Sequence, residues 1–162
     1  MKRILFSTTL LSLVALIGIT ACSKDDVEDA VASVTGTMSA KIDGNDWSSS
    51  GPAAVFSNGA IAATGLASGD QSIVVSSSAI ATGTYSFNPL TPPIGGGLYR
   101  LKINDSTTHE YVAYNGSFII TEIKTADKRM SGTFSFDAVH VPTLDTVSVT
   151  AGEMTNINYT EQ

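Results

Sequence analysis

The sequence predicts an all-β domain: a single antiparallel β-sandwich of about nine or ten short strands, with a small β-barrel as the alternative. Three observations predict it. Apolar and polar residues alternate with period two in several stretches, turn-forming residues recur between those stretches, and no segment sustains a helical period.

The elements follow in order. In "VTGTMSAKID", Val34, Met38, Ala40 and Ile42 share one face, while Thr35, Thr37, Ser39 and Lys41 share the other. Asp43-Gly44-Asn45-Asp46 then reads as a hairpin turn, because Gly and Asn tolerate positive φ. Ser57-Asn58-Gly59 separates "AAVF" from "AIAATGLA", and Ser68-Gly69-Asp70 precedes "QSIVVSSS". In "YRLKIN", Tyr99, Leu101 and Ile103 alternate with Arg100, Lys102 and Asn104. Asn115-Gly116 is expected to divide "HEYVAY" from "SFIITEIK", and Ala126-Asp127-Lys128 to divide the latter from "MSGTFSF". Phe134, Phe136 and Ala138 form one apolar face, as do Val147 and Val149. Ala151-Gly152 is expected to end "TVSVT" before "MTNINYT" begins. "GTYSF" at 83–87 is echoed by "GTFSF" at 132–136, but the spacing is irregular and a repeat architecture needs a fixed period.

A different pattern precedes this domain. Lys2 and Arg3 lead into a mostly apolar run, Ile4 to Thr20, and then into Cys22, the only cysteine of the 162 residues. Positive start, apolar core and small residues are the order of an export signal. Ile19-Thr20-Ala21-Cys22 resembles a bacterial lipobox. That resemblance implies a lipid on the Cys22 sulfur, cleavage before it, and acylation of the new amino group; two or three chains anchor firmly where one is marginal. A retained membrane helix fits less well, since the run is shorter than the roughly 20 apolar residues usual for a span. A lone cysteine also leaves no internal disulfide and no CxxC pair. Lys24, Asp25 and Asp26, with Glu28 and Asp29, resemble the signal that sends Bacteroidota lipoproteins to the outer face of the outer membrane; the alternative is a solvated linker. The division is thus a signal peptide at 1–21, an acidic flexible tether at 22–32 and a β domain at 33–162.

Cleavage leaves 162 − 21 = 141 residues, enough for one domain with a core. It removes two of nine cations, so the charge falls from −6 to 7 − 15 = −8. Nucleic acid is excluded as a partner, since its binders cluster Lys and Arg.

"AKIDGNDW", "GTYSF", "SGTFSFDAV" and "TVSVTAGEMTNINY" together resemble a family of small Bacteroidota lipoproteins of unknown function with an expected β-sandwich. The resemblance implies an envelope lipoprotein and brings no catalytic residues.

Chemistry-bearing residues are sparse. Asp43, Asn45 and Asp46 are rich in oxygen but lack the distal Glu of a calcium loop, so a turn is expected and no metal. Trp47, the single tryptophan, is expected to plug the core rather than stack on a sugar. His109 and His140 lie thirty residues apart and are expected at the surface or an edge. Ser76-Ser77-Ser78 offers hydroxyls without a GxSxG elbow. Glu110, Glu122 and Asp137 could serve as a glycosidase pair only if the fold set them at the required separation. The loop "NPLTPPIGGGL" is expected to be irregular throughout; a plain connection between sheets is the first reading, and its apolar Leu90, Ile94 and Leu98 make a binding loop the alternative.

The expectation is therefore a lipid-anchored outer-membrane lipoprotein, facing the cell surface or alternatively the periplasm. It would act as a non-catalytic binding module without a cofactor, with an envelope or extracellular glycan or protein as partner. A glycan-active hydrolase would need paired carboxylates in a cleft. A structural or assembly subunit would need a long free edge strand, near 34–42 or 154–160.

Overall fold

The structure is a computed structural model describing residues 36–162. The expected signal peptide, Ile19, Thr20, Ala21 and Cys22, the tether with Lys24, Asp25 and Asp26, and Val34 and Thr35 lie outside the described residues.

Ten strands follow one another: β1 (Thr37–Ile42), β2 (Asn45–Ser48), β3 (Ala53–Ser57), β4 (Ala60–Ala67), β5 (Gln71–Ser77), β6 (Gly83–Ser86), β7 (Gly95–Asn104), β8 (Thr107–Lys124), β9 (Arg129–His140) and β10 (Asp145–Glu161). The domain is all-β, as the alternation implies. Met38 and Ala40, Phe134, Phe136 and Ala138, and Val147 and Val149 are buried, whereas Thr37, Ser39, Lys41, Thr133 and Ser135 face solvent. Burying such side chains contributes about 1.5–3 kcal/mol each for Val to Phe, which is what holds these strands in one register.

The ten strands form one sheet, and its ladders close on themselves. Antiparallel pairing runs β3–β4–β5–β7–β8–β9–β10, and Tyr159–Glu161 of β10 then pairs parallel with Ala54–Phe56 of β3. One curled sheet thus wraps a single core, combining the two faces of a sandwich with the closure of a barrel. β1 and β2 extend it alongside β10, and β6 lies against β8.

Two expected turns are bulges instead. β8 continues through Asn115-Gly116 and β10 through Ala151-Gly152. Their positions explain them. β8 pairs with β7 up to Val112 and with β6 from Ser117; the register shift and Gly116 (φ 119°) lie between. β10 pairs with β1 up to Thr155 and with β3 from Tyr159; Asn156 (φ 51°) and a second shift lie between. Each bulge bends a long strand where it changes neighbour, so one strand serves both halves of the curled sheet. Ala151 (φ 49°) marks a further shift on β10.

The 88–98 loop is also shorter than its composition suggests. Gly95, Gly96 and Gly97 begin β7, opposite Ser77, Ser76 and Val75 of β5. Glycine is needed there because the Phe87 ring lies across the strand: a Cβ on Gly97 would stand 2.8 Å from Phe87 Cε2 and 3.0 Å from Ala113 Cβ. The remaining loop is pinned by Ser78 N–H to Ile94 O (3.0 Å) and Ser86 N–H to Pro93 O (2.9 Å).

Candidate functional site: a polar pocket at Trp47

The site begins with the β1–β2 turn. Asp43 (φ 49°) and Gly44 (φ 83°) both take positive φ, the type I′ geometry that suits a two-residue hairpin. The turn is tied to β10 twice: Asp43 N–H donates to Ser148 O and Ser148 N–H donates to Asp43 Oδ1, both at 2.9 Å. The Lys41 ammonium meets Asp46 Oδ1 at 2.6 Å. The tip is therefore fixed although its side chains are exposed.

Beneath it lies a recess of about 220 Å3, lined by Ile42, Asp43, Asn45, Asp46, Trp47, Gln71 and Tyr99. Trp47 is only 5% exposed, so the core position expected for it holds. Its ring is also boxed in: Gly65 on β4 has no Cβ, and one there would stand 2.7 Å from the indole Cη2. Nε1 of this indole is buried and no acceptor among the described residues reaches it. An unmet buried donor costs about 1–3 kcal/mol, a cost that the packing around the indole offsets. Tyr99 supplies a phenol whose pKa is raised by burial, then by neighbouring Tyr111 and the Asp43 charge. It keeps its proton at neutral pH and can donate.

Behind Tyr99 is an aromatic cluster. Tyr99 and Tyr111 have ring centroids 5.6 Å apart, Tyr111 and His140 5.5 Å, and His109 stacks on His140 at 4.3 Å with planes 10° apart. His140 is 8% exposed, which overturns the surface placement expected for it, while His109 is half-buried. The long β8–β9 hairpin brings the two together across thirty residues. His140 Nδ1 lies 3.0 Å from Glu110 O, and since a carbonyl only accepts, Nδ1 carries the hydrogen. Among the described residues no three His, Cys, Asp or Glu side chains gather as a cation site would require.

The other expected residues are dispersed. Glu110 pairs with Arg100 (2.7 Å), Glu122 with Lys124 (3.3 Å), and Asp137 accepts from Ser148 Oγ (2.9 Å). Ser77 Oγ is spent on Ala79 O at 2.7 Å. Leu90 is 87% exposed at the loop tip and Ile94 is 41% exposed, whereas Leu98 lies in β7 opposite Val112. Neither stretch expected to form a free edge does so: β1 lies between β2 and β10, and 154–160 of β10 pairs with β9 and β3. Sequence reasoning singled out Trp47 and the Asp43–Asp46 turn but missed Gln71 and Tyr99, which reach the recess only through strand pairing.

Fold and recess define a small all-β domain with a polar pocket beside a closed core. Residues 34–158 match the family described as Domain of unknown function (DUF6252), and the chain belongs to that family. No curated protein and no solved structure matches it.

Proposed function

We propose that this chain is a lipid-anchored lipoprotein of the Bacteroidota type, held in the outer membrane through Cys22 and displayed at the cell surface. Its β domain acts as a non-catalytic binding module. The order around Cys22 carries the anchor: basic start, apolar run, Ile19-Thr20-Ala21, the lone cysteine, then Lys24-Asp25-Asp26. The pocket supports binding, because it gathers carboxylate, amide and phenol groups around one recess. Glu110, Glu122 and Asp137, each engaged by a different partner, support a non-catalytic role.

Feeding cells an alkyne-tagged fatty acid tests the anchor. The wild-type chain is expected to take up label and Cys22→Ala to take up none; equal labelling of both would refute it. Protease added to intact cells tests the address. Digestion of the wild type, with protection of a Lys24→Ala/Asp25→Ala/Asp26→Ala variant, is the expected result. A wild type digested only after lysis would place the domain inside.

A further inference from the structure

We propose that the outer face of β8 and β9, from Val112 and Tyr114 to the β9–β10 turn, docks another protein through a segment carrying Lys or Arg beside apolar residues. This surface lies outside the recess under the β1–β2 turn and does not depend on it.

The sheet pattern breaks here. Outward positions of a solvated antiparallel face are ordinarily polar. Across four strands one outward row is apolar instead: Val74 pairs with Leu98, Leu98 with Val112, and Val112 with Val139. Their chain neighbours Val75, Tyr99 and Ala138 fill the core, so this row faces out. The row is most open at Val112, which is 49% exposed, and exposed Tyr114 adjoins it on β8. Beyond Val139 the β9–β10 turn adds Val141 (65% exposed) and Leu144 (75%). Leu144 holds φ 62°, a conformation that suits glycine, so the turn displays an apolar side chain at a strained position. Beside this surface is a hollow of about 400 Å3, whose apolar lining is Val112, Val141 and Pro142. Contiguous apolar surface around a hollow marks contact with another molecule.

The surface is held in shape. His140 O accepts from Thr143 N–H (3.2 Å) and Leu144 N–H (2.8 Å), and Thr143 Oγ1 donates to Asp145 Oδ2 (2.7 Å). Little ordering of the turn is left for binding. β8 already pairs with β9 and with β7 or β6, and β9 with β8 and β10. No strand can add to them, so the partner engages through side chains.

Charge selects the partner. Glu110, in the hollow, is paired with Arg100 at 2.7 Å. Asp137, two residues before Val139 on the same face, and Asp145, beside Leu144, form no ion pair with a Lys or Arg among the described residues. Asp137 accepts from Ser148 Oγ and Asp43 from Ser148 N–H, both at 2.9 Å, which sets a third carboxylate beside them. A second copy of this chain would bring these acids against one another, and an anionic lipid surface would be repelled. A Lys or Arg meets the carboxylates, its apolar neighbours fill the hollow, and the Tyr114 ring offers the cation a face.

Full-length protein in zwitterionic lipid nanodiscs is panned with a phage-displayed library of random short peptides, after depletion on empty discs. Selected peptides are expected to carry Lys or Arg within a few positions of Val, Leu, Ile or Phe, and to bind more weakly as salt rises. In calorimetry with synthetic copies, Val141→Ser and Asp145→Asn are each expected to bind roughly three- to tenfold more weakly than wild type. Leu90→Ser and Asp127→Asn, which remove an exposed apolar group and an exposed carboxylate elsewhere, are expected to bind as the wild type does. Failure to select any peptide overturns the proposal, as do selected peptides without Lys or Arg, or unchanged binding by both patch variants. Self-association of the protein that Val141→Ser abolishes would overturn it in favour of a second copy.

Discussion

Single residues carry two kinds of information here, and the sequence discloses one better than the other. Phe134, Phe136, Val147 and Val149 are buried as their alternation requires. His140 is not where its neighbours in sequence would put it, because the partner that covers it, His109, comes from another strand. Tyr99 is a similar case: its burial was legible, but its approach to Asp43 was not. That approach has a measurable effect. The folded-state pKa of Tyr99 lies above the ordinary 10.0, so folding favours the neutral phenol. Its contribution is complete below pH 10 and is lost as pH rises through the folded value. Stability measured by urea unfolding is therefore expected to fall above pH 10, and Tyr99→Phe to flatten part of that fall. An identical alkaline slope in both proteins would show that Tyr99 is not responsible.

Among the elements, strands and tight hairpins were legible and corners were not. Asp43-Gly44 and Asn58-Gly59 form two-residue turns as their chemistry suggests. Asn115-Gly116 carries the same local signal yet lies inside an 18-residue strand. What separates the cases is the neighbour each strand meets next, which no local window contains. Gly116 makes the difference concrete: at φ 119°, an added Cβ would also run into the backbone oxygen of Ser135 on β9. Gly116→Ala is therefore expected to cost about 2–4 kcal/mol through strain and displacement of β9. A lowered urea midpoint with an unchanged slope is the expected signature. A midpoint within experimental error of wild type would mean that this corner yields freely.

For the whole molecule, composition and alternation indicated one all-β domain, but closure was not readable, since it depends on pairings between distant parts of the chain. Thr37 pairs with Thr155 across 155 − 37 = 118 residues, and Ala54 with Tyr159 across 159 − 54 = 105. Such separations place the fold among slow, milliseconds-to-seconds folders. The parallel β10–β3 ladder is the seam of the closed sheet, and removing it also removes Ile157 and Tyr159 from the core. Deleting 157–162 is expected to abolish cooperative thermal unfolding and to expose the amides of 53–57 to rapid hydrogen exchange. Retention of a single sharp transition would show that the seam is dispensable.

The three partners of β10 also impose an order in time. β9, β1 and β3 all wait for this one strand, and it is the last to be synthesised among the ten. A chain delivered amino end first, from a ribosome or through a membrane channel, can form its local hairpins early but cannot shut until the segment 145–161 has emerged. β10 thus acts as a latch, leaving the preceding strands unclosed and threadable until its residues are free to pair.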